Sequence, residues 1–227
     1  MWMNVRNGPI VRVRPTIVVG GLAVAATLAS AAYPFLLRRW CLTWGATPDE
    51  VARALPGDEL LPTPDFMATR AITIDAPPTA VWPWLVQMGS GRGGAYTYDW
   101  IENLFGLGMH SADRILPEFQ DLAVGDLLPL PNGPAMRIEV LDRERAMVAR
   151  SEDGTWVWIF ALSPAGEGTR LISRNRIATP DASPVARLAY MLLMEPGSLV
   201  MERKMLRGIK ERAEHLAGRP VLSAVQA

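Results

Sequence analysis

A chain of 227 residues, 49% of them hydrophobic, is long enough to bury one substantial core and carry additional segments. Its 23 Lys plus Arg cancel 23 Asp plus Glu, so no overall field attracts a polyanion, no basic run replaces one, and nucleic acid is not an expected partner. A single cysteine, Cys41, excludes an internal disulfide and a cysteine-rich metal site; the two histidines, His110 and His215, have no metal-ligand spacing, so no metal and no cofactor is expected.

Residues 16–37 carry no charge, and at about 1.5 Å per residue such a run crosses a hydrocarbon core of about 30 Å. Arg14 closes one end, and Arg38 with Arg39 the other. The run is read as a transmembrane helix, which makes this a single-pass protein of the cell membrane. The rival is a cleavable signal: Arg6, Arg12 and Arg14 form a positive region, residues 17–28 an apolar one, and Ala29-Ser30-Ala31 a cleavage site. Apolar residues continuing to Leu37 favour the anchor. Three arginines before the run and two after it leave the side of the globular domain open. Cys41 is placed for juxtamembrane acylation but lacks a fuller motif and is read as an unmodified thiol.

Beyond the anchor, Thr47 as N-cap, Pro48 at the first position and Asp49 with Glu50 in the first turn begin a short helix; Val51 and Leu55 share a face and Pro56-Gly57 stops it. Residues 57–66, rich in proline and acid, read as an extended connector. A strand over 66–74 ends at Asp75-Ala76-Pro77-Pro78. In the helix that follows, Val81, Leu85 and Met88 form the apolar stripe with Trp84 beside them, and Pro83 marks either a start just before it or a kink. A second short helix is expected over 98–105, with Trp100 and Leu104 on one face, Ile101 and Phe105 on the next, and Gly106 as the stop. The period then changes to two, giving strands over 124–130, 135–141, 146–151, 155–163 and 169–177, joined by turns short enough for an antiparallel meander. Over 196–216, Leu199, Met205, Leu206, Ile209, Ala213 and Leu216 form an apolar arc opposite Arg203, Arg207, Lys210, Glu211 and Glu214. The fold class is α+β, a curved antiparallel sheet wrapped around a long C-terminal helix. The segments are 1–40 with the membrane helix, 41–65 as short helix and linker, 66–217 as the globular domain and 218–227 as a tail.

With these elements placed, AITIDAPPTAVWPWLVQM (residues 71–88) shows a strand, an aspartate, prolines and then Val-Trp opening a helix. It resembles the opening of the START-like, polyketide-cyclase or SRPBCC superfamily, and the element order over 66–216 is similar to its helix-grip fold. LAVGDLLPL (122–130), DGTWVWIFALSPAGEGTRLISR (153–174) and LLMEPGSLVMERKMLRGIKERAE (192–214) resemble a bacterial branch that often has an amino-terminal membrane segment and no settled activity. None of these is a catalytic signature. The resemblance implies a cavity between sheet and long helix for an apolar molecule, in which some relatives catalyse cyclisation or hydration and many only bind. Fold alone does not choose between them.

The chemistry-bearing candidates follow from residue types. The loop GSGRGGAY (89–96) lacks the lysine of a P-loop and follows a helix rather than the strand of a dinucleotide site. Arg92 could meet an anion; the plainer reading is a surface connector, or a lid if it moves. Tyr96, Tyr98 and Trp100 suit a pocket wall as well as they suit packing. Trp156, Trp158, Phe160 and Leu162 share one face of a strand, and Val157, Ile159 and Ala161 the other. One pairing register sets Ser173 and Asn175 beside the tryptophans as a mixed cavity wall; a one-residue slip sets Arg174 and Arg176 there as a cationic aromatic surface.

Glu202 falls inside the apolar arc, either as a cavity acid that binds or protonates ligand or as a carboxylate held by a sheet arginine such as Arg174. His110, oriented by Asp113 or Asp99, is the other weak proton-transfer candidate, and neither residue is assigned as catalytic. Ser90 lacks the G-x-S-x-G setting of a hydrolase, and His215 sits among charges with no role. The ligand-binding candidates are Trp84 from the first domain helix, Tyr96, Tyr98 and Trp100 after the loop, Trp158 and Arg174 from the strands, and Met201, Glu202 and Met205 from the last helix. The expected partner is a hydrophobic small molecule or lipid, with the membrane as a second partner. The alternatives are a cyclase- or hydratase-type enzyme in the same cavity and an interaction module using the Trp156 face.

Overall fold

The computed structural model describes residues 33–130 and 133–218. The chain divides into two compact units, 1–39 and 40–227. In the first, the described residues form the helical stretch Tyr33–Leu37 and its continuation to Arg39. The proposed span over 16–37 lies outside the described residues up to position 32, as do the turn residues Pro131 and Asn132 and most of the tail. Among the described residues no helix is long and apolar enough to cross a membrane.

Among the described residues the α-helices are α1 (Arg38–Leu42), α2 (Pro48–Ala52), α3 (Pro78–Val86), α4 (Asp99–Leu104), α5 (Pro184–Ala189) and α6 (Glu195–Ala217), with Tyr190–Met194 a π-helical stretch between the last two. Six antiparallel strands, β1 (Phe66–Ile74), β2 (Leu127–Leu128), β3 (Met136–Asp142), β4 (Ala146–Ser151), β5 (Trp156–Ala165) and β6 (Gly168–Ile177), form one sheet in the order β1-β6-β5-β4-β3-β2. The meander runs from β2 to β6, and the first strand closes the far edge against the last. A bulge between Ile138 and Val140 of β3 bends the sheet locally. The arrangement is α+β, with α6 packed against β1 and α3 as a helix grip requires.

Several expectations change in detail. The strand expected over 124–130 pairs only at Leu127 and Leu128, because the Asp126 carboxylate takes the Ala123 N–H in a turn and Pro129 has no N–H to give a ladder. The α3 helix starts at Pro78 and carries Pro83 inside it. The connector is not simply extended: Asp58–Leu60 form a 3₁₀ turn. The pair α5 and Tyr190–Met194 has no counterpart in the elements expected from periodicity, although Ser183 caps α5 and Pro184 opens it.

Register explains why both faces of β5 are apolar. Trp158 pairs with Asn175, Phe160 with Ser173 and Ile159 with Arg174. The inner face, with Phe160, Leu162, Leu171, Ile138 and Met147, joins α3 and α6 in the main core. The outer face, with Val157, Ile159, Ala161, Ile172 and Val148, is covered by Leu55, Ala46, Leu60 and Leu61 of the connector. That cover is fastened by arginines of β6. Arg174 donates to the Glu50, Val51 and Arg53 carbonyls and pairs with Asp58, which also holds Arg176 at 3.0 Å. Arg170 meets Glu50 at 2.7 Å, and this guanidinium holds the Glu50 carboxyl below its usual range. Gly208 of α6 packs against Tyr96 with no room for a side chain: an added Cβ would stand 2.7 Å from the Tyr96 carbonyl oxygen.

Candidate functional site

Alternation in β1 sends Phe66, Ala68, Arg70 and Ile72 to the inner face, in register with Ile177, Asn175, Ser173 and Leu171 of β6. With Trp156 and Trp158 of β5, these strands form one wall of a cavity of about 360 Å³. Met201, Glu202 and Met205 of α6, Tyr190 and Met194 before it, Leu42, and Ala95, Thr97 and Glu102 from the segment around α4 complete it. The two indoles are stacked, with centroids 5.6 Å apart, and their polar edges are tied back into the sheet. Trp156 Nε1 donates to Asn175 Oδ1 at 2.9 Å, and Trp158 Nε1 to Ser173 Oγ at 3.0 Å. The register is therefore the one that makes a mixed wall rather than a cationic aromatic surface.

At the polar end of the cavity stands an ion pair between Arg70, fully buried, and Glu202. The guanidinium also donates to the Cys41 carbonyl and to Ser198 Oγ, each at 3.0 Å. On the carboxylate side, Asn175 Nδ2 donates to Glu202 Oε1 at 3.3 Å, and the Ser173 hydroxyl supports the charged form as well. Burial pushes the Glu202 carboxyl up, while Arg70, Ser173 and Asn175 pull it back. Glu202 is thus a carboxylate held by a sheet arginine. The arginine is Arg70 and not Arg174, which opposes Ile159 and faces the connector on the other side of the sheet. Arg174 accordingly takes no part in the cavity.

Of the remaining candidates, the cavity brings together Trp158, Met201, Glu202 and Met205. Trp84 and Tyr96 lie in the packed core: the Tyr96 hydroxyl donates to the Trp84 carbonyl at 2.9 Å, the rings meet edge to face, and Arg212 lies over Tyr96. Tyr96 is buried with a positive φ of 57°, and desolvation raises its hydroxyl pKa. Tyr98 and Trp100 are exposed at the start of α4 and do not line the cavity. His110 is an exposed loop residue, and Asp99 is engaged by the Ser111 N–H and hydroxyl instead of orienting it. The glycine loop is a closed turn bridged between Gly89 and Gly94, and Arg92 is spent on the Val86 and Phe119 carbonyls and on the Phe119 ring. Ser90 donates to the Leu107 carbonyl, and the Cys41 thiol is buried against the Glu195 carbonyl. Among the described residues no His, Cys, Asp and Glu group could hold a metal ion.

Sequence reasoning missed Arg70, Ser198, Thr97 and Glu102. Arg70 had a readable signal, as the one charge on the inward positions 66, 68, 70, 72 and 74 of an otherwise apolar strand face. Glu102 had none, because α4 is too short to show a period.

No family model matches the chain, and no curated protein sequence does either. Solved structures do resemble it. The KanY protein ms6282 is 15% identical over 67% of this chain and 99% of its own, with a TM-score of 0.45. Bacillus halodurans BH1534 is 13% identical over 68% and 99%, at 0.40. The Polyketide_cyc-like protein Cgl2372 of Corynebacterium glutamicum is 19% identical over 67% and 89%, at 0.32. Strand order, register and the closing helix give residues 66–217 the START-like helix-grip fold.

Proposed function

We propose that this protein binds a hydrophobic small molecule or lipid in the cavity between β1, β5, β6 and α6. The observation that supports this reading is the unfilled volume of about 360 Å³ walled by Phe66, Trp156, Trp158, Met194, Met201 and Met205. Small-molecule sites occupy about 300–1,000 Å³ and combine such apolar walls with a few placed polar groups. Methionine side chains adapt to different guests, and covering apolar wall contributes about 25 cal/mol per Å². The proton-transfer candidates give the cyclase or hydratase alternative no support, since His110 stands outside the cavity and Glu202 is neutralised by Arg70. Residues 16–37, as a membrane helix, would raise the concentration of the domain near bilayer-soluble ligands.

The test is to extract the full chain from membranes with detergent, identify small molecules released on denaturation by mass spectrometry, and titrate the protein with 2-methylnaphthalene. Saturable binding is expected, weakened at least tenfold in Ala68→Phe, whose ring would occupy the cavity floor. No released apolar molecule together with no saturable binding overturns the reading. Recovery of the full chain in the soluble fraction overturns the membrane helix.

A further inference from the structure

Two polar side chains of the cavity are left over by this reading. Helix α4 is turned the unexpected way round: Trp100 is 70% exposed, Leu104 and Phe105 also face outward, and its one buried residue is Glu102, at 8%. Glu102 Oε2 and Thr97 Oγ1 are buried with no partner in hydrogen-bonding geometry, although the two side chains lie within reach of each other. Both residues line the cavity. Burial favours the neutral form of the Glu102 carboxyl, the nearby Thr97 hydroxyl opposes that, and Asp99 reinforces it. None of the groups acting on it is an arginine or lysine, in contrast to Glu202.

A buried carboxyl oxygen with no partner destabilises the fold, and a short helix that buries its acid while exposing its aromatics compounds the cost. The chemistry of the two groups indicates what relieves it. The ionised Glu102 carboxylate is an acceptor only, its neutral form adds an O–H donor, and the threonine hydroxyl is both a donor and an acceptor. A hydroxyl group matches the pair, donating its proton to Glu102 while its oxygen accepts from Thr97. An ether or ketone oxygen can only accept, and a hydrocarbon satisfies neither group. We propose that Glu102 and Thr97 form a recognition point for the hydroxyl group of an otherwise apolar ligand, an inference that rests on the ligand-binding reading above.

Three probes of nearly equal shape test it: 2-naphthol, 2-methoxynaphthalene and 2-methylnaphthalene, titrated by calorimetry into the full chain and into Glu102→Leu, Thr97→Val and Glu102→Gln. The ratio of naphthol to methylnaphthalene affinity is expected to fall about tenfold or more in Glu102→Leu, the loss of a hydrogen bond to a charged or strongly polar group. A smaller fall is expected in Thr97→Val. Glu102→Gln keeps an acceptor and should stay within about threefold of the parent ratio. Methoxynaphthalene should respond to Thr97→Val, and to Glu102→Leu by less than naphthol does, because its oxygen only accepts. Circular dichroism establishes that each variant is folded, and Glu102→Leu should melt no lower than the parent because it removes an unsatisfied group. An unchanged ratio in Glu102→Leu overturns the hydroxyl site while leaving the apolar cavity standing if methylnaphthalene still binds. Failure of every probe to bind the parent chain overturns both.

Discussion

Replacing Glu202 by Gln tests the ion pair inside the cavity most directly. Every group around that carboxylate is a donor: Arg70 from β1, Ser173 and Asn175 from β6. A glutamine supplies one acceptor and aims an amide N–H₂ at a donor. Asn175 cannot turn over to receive it without releasing Trp156 Nε1, which bonds its oxygen at 2.9 Å. Arg70 is then left fully buried without a counter-charge, its partners the neutral glutamine, Cys41 and Ser198 oxygens. Breaking a buried pair from one side costs about 3–5 kcal/mol, which in a domain of this size lowers Tm by about 6–20 °C. Urea denaturation of Glu202→Gln, Arg70→Met and the double variant Arg70→Met with Glu202→Leu completes the cycle. The double variant should recover most of the loss, since an apolar pair of similar volume needs no desolvation of charge. A Glu202→Gln protein within about 0.5 kcal/mol of the parent, or a double variant less stable than either single one, refutes this account of the pair.

Three further outcomes follow from the same structure. Asp58→Ala leaves Arg174 and Arg176 side by side under the connector without their shared carboxylate and should destabilise by about 3 kcal/mol in urea; a neutral result means the connector does not seal the outer face. Gly208→Ala should lower stability even though alanine favours a helix by about 1 kcal/mol, because its Cβ would stand 2.7 Å from the Tyr96 carbonyl oxygen; a gain in Tm would show that the two segments separate freely. Glu102, whose carboxyl is raised by burial from its ordinary 4.5, holds a proton in the folded state to higher pH than in the unfolded one. Its contribution is therefore fully present below about 4.5 and lost as pH rises through the folded value. Urea midpoints measured from pH 4 to 8 should slope less in Glu102→Gln than in the parent, and equal slopes count against a desolvated acid.

Sequence periodicity carried most of the fold because β1, β5 and β6 are nine or ten residues long. Trp156 to Leu162 and Phe66 to Ile74 read as strands without help from neighbours, and α6 showed its arc of Leu199, Met205, Leu206 and Ile209 across several turns. The site was legible where it shares those long elements, at Trp158, Met201, Glu202 and Met205. It was not legible where it depends on pairing between distant positions. Arg70 and Glu202 stand 132 residues apart, and only register places Asn175 beside Trp158 rather than Arg174. A helix as short as α4 obeys its tertiary surroundings, so Tyr98 and Trp100 looked like pocket lining while the buried member was Glu102. The connector read as extended because its cover of Val148 and Ile159 is a property of the folded sheet, not of its own residues.

The inverted setting of α4 also bears on how a guest reaches the interior. With Trp100 and Leu104 exposed, the apolar side chains this segment would draw out of the fold include the half-buried Ile101. The side-chain hydrogen bonds that hold it include Asn103 with Met109, Asp99 with Ser111 and Ser90 with the Leu107 carbonyl. Openings of that kind belong to the cheapest fluctuations a domain has. On the ligand-binding reading, a guest passing α4 would leave the sheet and α6 in place, and amide hydrogens of residues 99–104 should exchange well ahead of those in β5.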